Sequence, residues 1–390
     1  MNKFWLKINL AILTLVSGFI FADSEEGASE TNSVVVYNAE HVNTQTHHEN
    51  NFVNHVDPYE YQYGHYAYHD DSYGCCFEPC EPSSCNSICV EYLYWKPYQT
   101  NMSYALAIDA LALTPPAPNT TILNMDSSWD SGFRVGVGHT FCGNIDLGLK
   151  YTRFHSSNST TASDPIIIAT ELIGVNPNIT VGGTNFGGVA ISDWHLEFDM
   201  LDFDICFPLY NNCGFAFSPY VGVKGGWIHQ KQTINYTNFV DMALSETLNG
   251  IVTERSKFSG VGPKVGIDSR YAFSNGLSVK GNLAASFLYG NANYPVSQFI
   301  EEPIGTVFAD STVKFKEQKI IPAIQLLVGI DWSTCICDQY LVTLGAGYEV
   351  QYFAHTWRNQ NSYIQDIYVT DAGYGDLMFQ GLTVDLSVNF

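Results

Sequence analysis

From residue 381 to its end the chain alternates without a break. Leu382, Val384, Leu386, Val388 and Phe390 fall on one face, and Thr383, Asp385, Ser387 and Asn389 on the other. A period of two with one apolar and one polar side predicts a β-strand between two different environments. The pattern recurs upstream. Trp129, Phe133, Val135 and Val137 alternate with Asp130, Gly132, Arg134 and Gly136. Beyond a short turn at 142–144, Ile145, Leu147, Leu149 and Tyr151 oppose Asp146, Gly148, Lys150 and Thr152, so the two runs form a hairpin. Leu277, Val279, Leu283, Ala285, Phe287 and Tyr289 make another such face, as do Tyr340, Val342, Leu344, Ala346, Tyr348 and Val350. Within 194–207 the apolar set changes sides at Met200–Leu201, which predicts a bulge.

Taking 88–109 as one strand, the count is ten, or twelve if a further pair forms with a strand inside 160–182. Short connections near 142–144, 208–213, 270–275 and 332–338 alternate with long ones at 156–188, 237–254, 292–311 and one ending near 375. Many strands exceed the 9–11 residues that a tilted membrane strand needs, and soluble sandwiches favour shorter ones. The expected fold is therefore all-β, a transmembrane antiparallel up-and-down β-barrel over 88–390, surrounded by outer-membrane lipid. The terminal Phe390 is the expected assembly signal for the barrel-assembly machinery.

Composition narrows the class. Seventeen Lys and Arg against 39 Asp and Glu give a net charge of −22. That excludes a nucleic-acid partner, since phosphate binding needs cations in quantity. Residues 1–22 read as a signal peptide: a basic start, an apolar run from Ile8 to Phe21, and Ala22 at the expected cleavage site. No later run is long and apolar enough for a membrane helix, so residence in a membrane requires a closed barrel. Residues 23–74, rich in His and Tyr and poor in aliphatics, predict a flexible periplasmic tail. Its histidines match no closed metal site, and no metal or cofactor is expected.

No nucleophile, base and orienting group occur together, so no enzymatic activity is expected. Charged residues on the strands' polar faces are the candidates for the barrel interior: Asp130, Arg134, Lys150, Glu197, Asp199, Asp202, Asp204, Lys224, Lys264, Asp268, Lys280 and Glu349. They either fill a small barrel as an ion network or line a water-filled conduit. The expected function is passive diffusion of small hydrophilic solutes and ions, with a modest cation preference from the acidic excess. The alternative is a structural or adhesive protein whose long external loops bind host surfaces.

Tyr92-Leu93-Tyr94-Trp95-Lys96-Pro97, the run Trp129–Gly138 and the run Tyr220–Trp227 resemble the pore-forming outer-membrane proteins of Legionella. The major-outer-membrane-protein-like porins of Chlamydia-like bacteria are similar too. Leu201-Asp202-Phe203-Asp204, Gly260–Gly266 and the ending Gly381–Val384 fit the same pattern, so the resemblance covers roughly 88–390. It implies a channel in the outer membrane with adhesive loops. The His/Tyr tail and the cysteine-rich segment 75–89 depart from it.

The cysteines complete the picture. A signal peptide and an even strand count put both barrel ends, and the short turns, in the periplasm. Cys75, Cys76, Cys80, Cys85, Cys89, Cys142, Cys206, Cys213, Cys335 and Cys337 then all gather at that end, where an oxidising compartment lets thiols pair. Sequence does not fix the pairs. Either they staple their own turns, or some cross-link the protein to further copies or to cysteine-rich envelope proteins. The resemblance to chlamydial porins favours cross-linking and a disulfide-supported envelope role.

Overall fold

The computed structural model describes residues 86–108, 120–141, 145–163, 167–169, 185–212, 214–241, 246–301, 307–336, 339–358 and 374–390. The expected signal peptide, the tail at 23–74 and Cys75, Cys76, Cys80 and Cys85 lie outside these residues.

Ten strands form the barrel. They are β1 (Asn86–Gln99), β2 (Asp130–Phe141), β3 (Ile145–Ala162), β4 (Val189–Cys206), β5 (Phe215–Asp241), β6 (Glu246–Ala272), β7 (Leu277–Glu301), β8 (Val307–Ile336), β9 (Tyr340–Arg358) and β10 (Tyr374–Asn389). Each pairs antiparallel with its neighbours in sequence. β1 also pairs with β10, Tyr94 lying opposite Leu382, and this closes the sheet. Asn86 and Phe390 exchange backbone hydrogen bonds of 3.1 and 2.9 Å, so the first and last strands finish side by side. Closure leaves no edge with unpaired backbone groups, which is what a sheet in hydrocarbon requires.

Alternation gives every strand an inner and an outer face, and along most strands the apolar face changes sides at one level. On β4, Leu201 and Phe203 are exposed on the outside, while Phe198, Leu196 and Trp194 are buried inside. The register of β4 against β3 and β5 runs unbroken through Met200–Leu201. The expected bulge is therefore absent. The backbone does not slip; the surroundings change. Toward the short turns the outer face meets lipid and is apolar. Beyond Met200 the outer face meets water, and apolar residues move to the lumen. The same exchange falls between Tyr94 and Trp95 on β1, Tyr151 and Phe154 on β3, Ile320 and Ile321 on β8, Tyr352 and Phe353 on β9, and Phe379 and Leu382 on β10.

This exchange explains why three long connections were over-read. Strands continue into the stretches 156–188, 237–254 and 292–311: β3 reaches Ala162, β5 and β6 approach to Asp241 and Glu246, and β7 and β8 to Glu301 and Val307. Among the described residues, the Ser, Thr and Asn of 156–161 lie on a strand whose outer face meets water, not in a loop. The opening segment differs too. β1 stops at Gln99, and Asn101 turns the chain with φ 59°. Ser103–Ile108 is no continuation of β1: it pairs with Thr120–Asn124 and Ile167–Ala169. At the opposite end the β6–β7 turn is as its sequence suggests, with Asn275 at φ 65° and Gly276 at φ 77°, the left-handed region these residue types tolerate.

Two outward-facing positions on one strand test the level of exchange. Phe203→Arg sets a charge against lipid and is expected to cost about 2–4 kcal/mol of stability. His195→Arg, on the same face beyond the exchange, is expected to change it by less than about 0.5 kcal/mol. Reversible urea unfolding in lipid vesicles reads both; equal losses would disprove the boundary.

Candidate functional site

The lumen is layered. Toward the short turns the inner faces carry charge, because apolar residues at that level are committed to lipid. Arg134 on β2 is its centre. Its guanidinium donates to Glu91 on β1 at 2.6 Å, to Glu349 on β9 at 2.9 and 3.2 Å, and to Thr152 on β3 at 2.9 Å. Thr383 on β10 donates to Glu349 at 2.8 Å. A second group runs across β4–β6: Asp202 lies 3.2 Å from Lys224 and 3.0 Å from Lys264, and Lys264 lies 2.8 Å from Asp204. In the third, Lys280 on β7 joins Asp331 on β8, at 2.7 Å, to Asp385 on β10, and Arg270 on β6 reaches Asp331 at 2.7 Å. A side chain at Gly345 would collide with Asp331, Asp385 and Lys280, so glycine there makes room for the cluster. The groups surround a cavity of about 320 Å³ that includes Cys89, Lys150, Ser218, Asp268 and Ser387 in its wall and extends toward the short-turn end.

Above the charges the lumen turns apolar. Trp95, Phe154, Phe198, Phe353 and Phe379 are buried and packed on one another. Phe198 lies 4.6 Å from Phe379 and 5.3 Å from Phe353, and Trp95 lies 5.6 Å from both Phe154 and Phe379, ring centre to ring centre. β4 and β9 stand opposite each other in the ring, so the Phe198–Phe353 contact spans the bore. Phe258, Leu288 and Ile321 extend the layer around β6–β8. The guanidinium of Arg134 sits 5.5 Å from the Trp95 ring, where charge and seal meet. Between the Lys224–Lys264 group and Phe353 a gap of about 10 Å³ remains, room for one water at most. A second apolar cluster, including Tyr104, Ile234, Tyr236, Phe239 and Val252, lies farther out.

Near the seal several buried polar atoms have no hydrogen-bond partner among the described residues: Trp194 Nε1, both side-chain polar atoms of Gln230, Glu254 Oε1 and Trp357 Nε1. Burial pushes the Glu254 carboxyl up to about 7.

Of the sequence candidates, Arg134, Asp202, Asp204, Lys224, Lys264, Lys280 and Glu349 enter the three ion groups, and Lys150 and Asp268 line the cavity. Asp130 faces inward and accepts a 2.6 Å hydrogen bond from Ser156. Glu197 and Asp199 are elsewhere: they lie on the outer face of β4, near His229 at 3.6 Å and His155 at 3.8 Å. Sequence reasoning passed over Glu91, Arg270, Asp331 and Asp385, although Asp385 was on the polar face of the last strand and Glu91 alternates with the exposed Val90 and Tyr92.

One functional expectation is corrected here: the disulfide-supported envelope role finds no support among the described cysteines. Cys89 and Cys206 are free thiols on the inner wall, and no disulfide joins two described residues. Cys335 is disulfide-bonded, and Cys142, Cys213 and Cys337 lie outside the described residues.

Removing Arg134 leaves two buried carboxylates facing each other. Arg134→Met is expected to cost about 3–5 kcal/mol, and adding Glu91→Gln with Glu349→Gln is expected to recover most of it; urea unfolding measures both. Glu254 gives a pH test. Its folded-state pKa lies above the ordinary 4.5, so the folded form favours the proton. Stability is therefore lost as pH rises from about 4.5 to about 7. Glu254→Gln is expected to match the parent protein at pH 4 and exceed its thermal midpoint at pH 8. A gain equal at both values would contradict the burial argument.

The family model of the Legionella pneumophila major outer membrane protein precursor matches residues 77–390, well over half of the chain. No curated relative matches. Among solved structures, the outer membrane protease OmpT from Escherichia coli is 10% identical, with 80% of this chain and 98% of that chain covered and a TM-score of 0.36. A Pseudomonas aeruginosa FadL homologue is 8% identical over 78% of this chain and 89% of that one, TM-score 0.25. The toluene transporter TodX of P. putida is 6% identical over 80% and 91%, TM-score 0.20. Likenesses this distant carry no functional weight. The family match does, and it agrees with the closed ten-stranded sheet, the lipid-facing belt and the charged lumen: this chain belongs to the Legionella pneumophila major outer membrane protein family.

Proposed function

We propose that this protein is a sealed outer-membrane barrel with a non-enzymatic, structural role. It closes the membrane around itself while carrying a tall sheet extension beyond the lipid. One observation carries the reading: aromatic side chains from β1, β3, β4, β9 and β10 meet in the middle of the lumen, in one buried cluster with Phe258, Leu288 and Ile321 of the remaining wall. The charged cavity beneath them is then a dead end, open toward the short turns. By the general asymmetry of outer-membrane barrels, those turns and both barrel ends face the periplasm, and the extension faces outward.

The seal is also a large share of the packing energy. Burying one phenylalanine contributes about 1.5–3 kcal/mol, so opening the lumen by moving several rings at once is costly. A fluctuating gap is thus rare, and a barrel held this way conducts little.

Planar-bilayer recording on refolded protein tests the reading. The parent protein is expected to give no conductance steps. The double variant Phe198→Ala, Phe379→Ala removes the two rings in closest contact and is expected to open discrete steps, at a stability cost of about 3–5 kcal/mol per ring. Steps of similar size in parent and variant would reject the seal.

A further inference from the structure

Beyond the lipid belt, the outer face of β5–β8 carries cations that form no ion pair among the described residues, although Asp193 and Glu197 of β4 flank the position opposite Lys231. Trp227 on β5 and Tyr289 on β7 are exposed at the top of the belt, the place that interfacial aromatics take. On the same face, two residues beyond Trp227 and four beyond Tyr289, Lys257 of β6 stands opposite His229 on β5 and Asn293 on β7, and Asn293 stands opposite Lys316 on β8. The next step brings Lys231 opposite Arg255 and Pro295 opposite Lys314. None of Lys231, Arg255, Lys257, Lys314 and Lys316 forms an ion pair among the described residues.

This is unusual in a chain with 39 acidic and 17 basic residues. The neighbouring side of the same face is balanced: Arg153 and His155 lie 3.9 and 3.8 Å from Asp199, and His229 lies 3.6 Å from Glu197. On β7 and β8 the acidic groups of this face, Glu301 and Asp310, come only at the far outer end. Like charges directly opposite in an antiparallel ladder are destabilising, and Lys231 with Arg255 is such a pair. An anion between them converts that repulsion into binding.

Depth identifies the anion. Two residues along a strand are roughly 7 Å, less in height because the strands tilt. The polar zone outside the hydrocarbon is roughly 5–8 Å thick on each side. Lys257 therefore stands at head-group level, and Lys316, four residues beyond the exposed Ile320, lies in the same register row. Lys231, Arg255 and Lys314 are one step higher, and their long side chains can fold back toward the interface. Because the patch continues the lipid belt without interruption, its occupant is a membrane component and not a soluble one. We propose that it binds the phosphate groups of outer-leaflet lipid, with Arg255 as a two-pronged ligand and the lysines as point charges around it. Such lipid would pin the extended sheet to the membrane surface on one side. The inference rests on the outer-membrane location and is independent of whether the lumen is sealed.

The test uses the full chain refolded in neutral detergent, with diphosphoryl lipid A and fully dephosphorylated lipid A as probes. Binding is followed by tryptophan fluorescence, since Trp227 borders the patch. The phosphorylated form is expected to bind at least about tenfold more tightly, with roughly fivefold lost per cation removed. Lys231→Gln, Arg255→Gln and Lys257→Gln together should weaken binding roughly 100-fold, and Lys314→Gln with Lys316→Gln roughly 25-fold, by the same scale. Lys96→Gln, on the outer face of β1, should leave it unchanged. All are surface changes, and retained far-ultraviolet dichroism verifies the fold of each variant. Equal binding of the two lipids, or an equal loss from Lys96→Gln, would overturn the proposal. Tight binding of soluble heparin to the patch without preference for lipid A would overturn the lipid assignment in favour of a soluble polyanion.

Discussion

A strand that crosses out of a membrane has to exchange its apolar face, and most of this architecture follows from that constraint. In lipid the outer side chains are the apolar ones and the lumen takes the polar remainder. In water the demand reverses. A period of two satisfies both without any change of backbone, since Phe198 and Leu201, three apart on β4, point to opposite sides. Repeated around the ring at one level, the exchange creates the ion-filled lower lumen and the aromatic upper lumen together. Seal and charge layer are two consequences of one boundary.

That boundary also explains what could be read from sequence. The closing strand, the 130–141/145–162 hairpin and the even count of ten were legible because each has a plain alternation ending in turn residues. The shift at Met200–Leu201 was legible as a pattern but not as a cause. A bulge and a change of solvent give the same change of phase in one sequence, and only the unbroken register separates them. Ser156 and Asn158 in β3 lack the apolar content expected of a buried strand face, because their outward neighbours meet water and their own hydrogen bonds run to Asp130 and Ser128. Propensity is silent where tertiary pairing decides.

The site was legible in kind rather than in partners. Polar-face charges on lipid-crossing strands do face inward, from Arg134 and Lys150 to Lys264 and Lys280. Glu197 and Asp199 followed the same parity on the far side of the exchange and so point out. Which carboxylate meets which cation depends on strands remote in sequence: Arg134 and Glu349 are 215 residues apart. No local pattern encodes that distance. The cysteines misled for a related reason. Sequence placed them together at one end, but it could not show that Cys89 and Cys206 face the lumen as free thiols.

Buried ion networks rarely stabilise a fold as much as an apolar core of the same volume would, so their presence in the membrane layer calls for another reason. Register supplies it. If β4 slipped by one residue against its neighbours, Asp202 and Asp204 would turn to lipid while Leu201 and Phe203 entered the lumen. Charges in hydrocarbon are costly enough to forbid that alternative. An apolar lumen at the same level would leave the two faces of each strand nearly equivalent, and slipped barrels would compete with the native one. Charge below therefore fixes the alignment of the strands, and that alignment brings the aromatic rings above into contact across the bore.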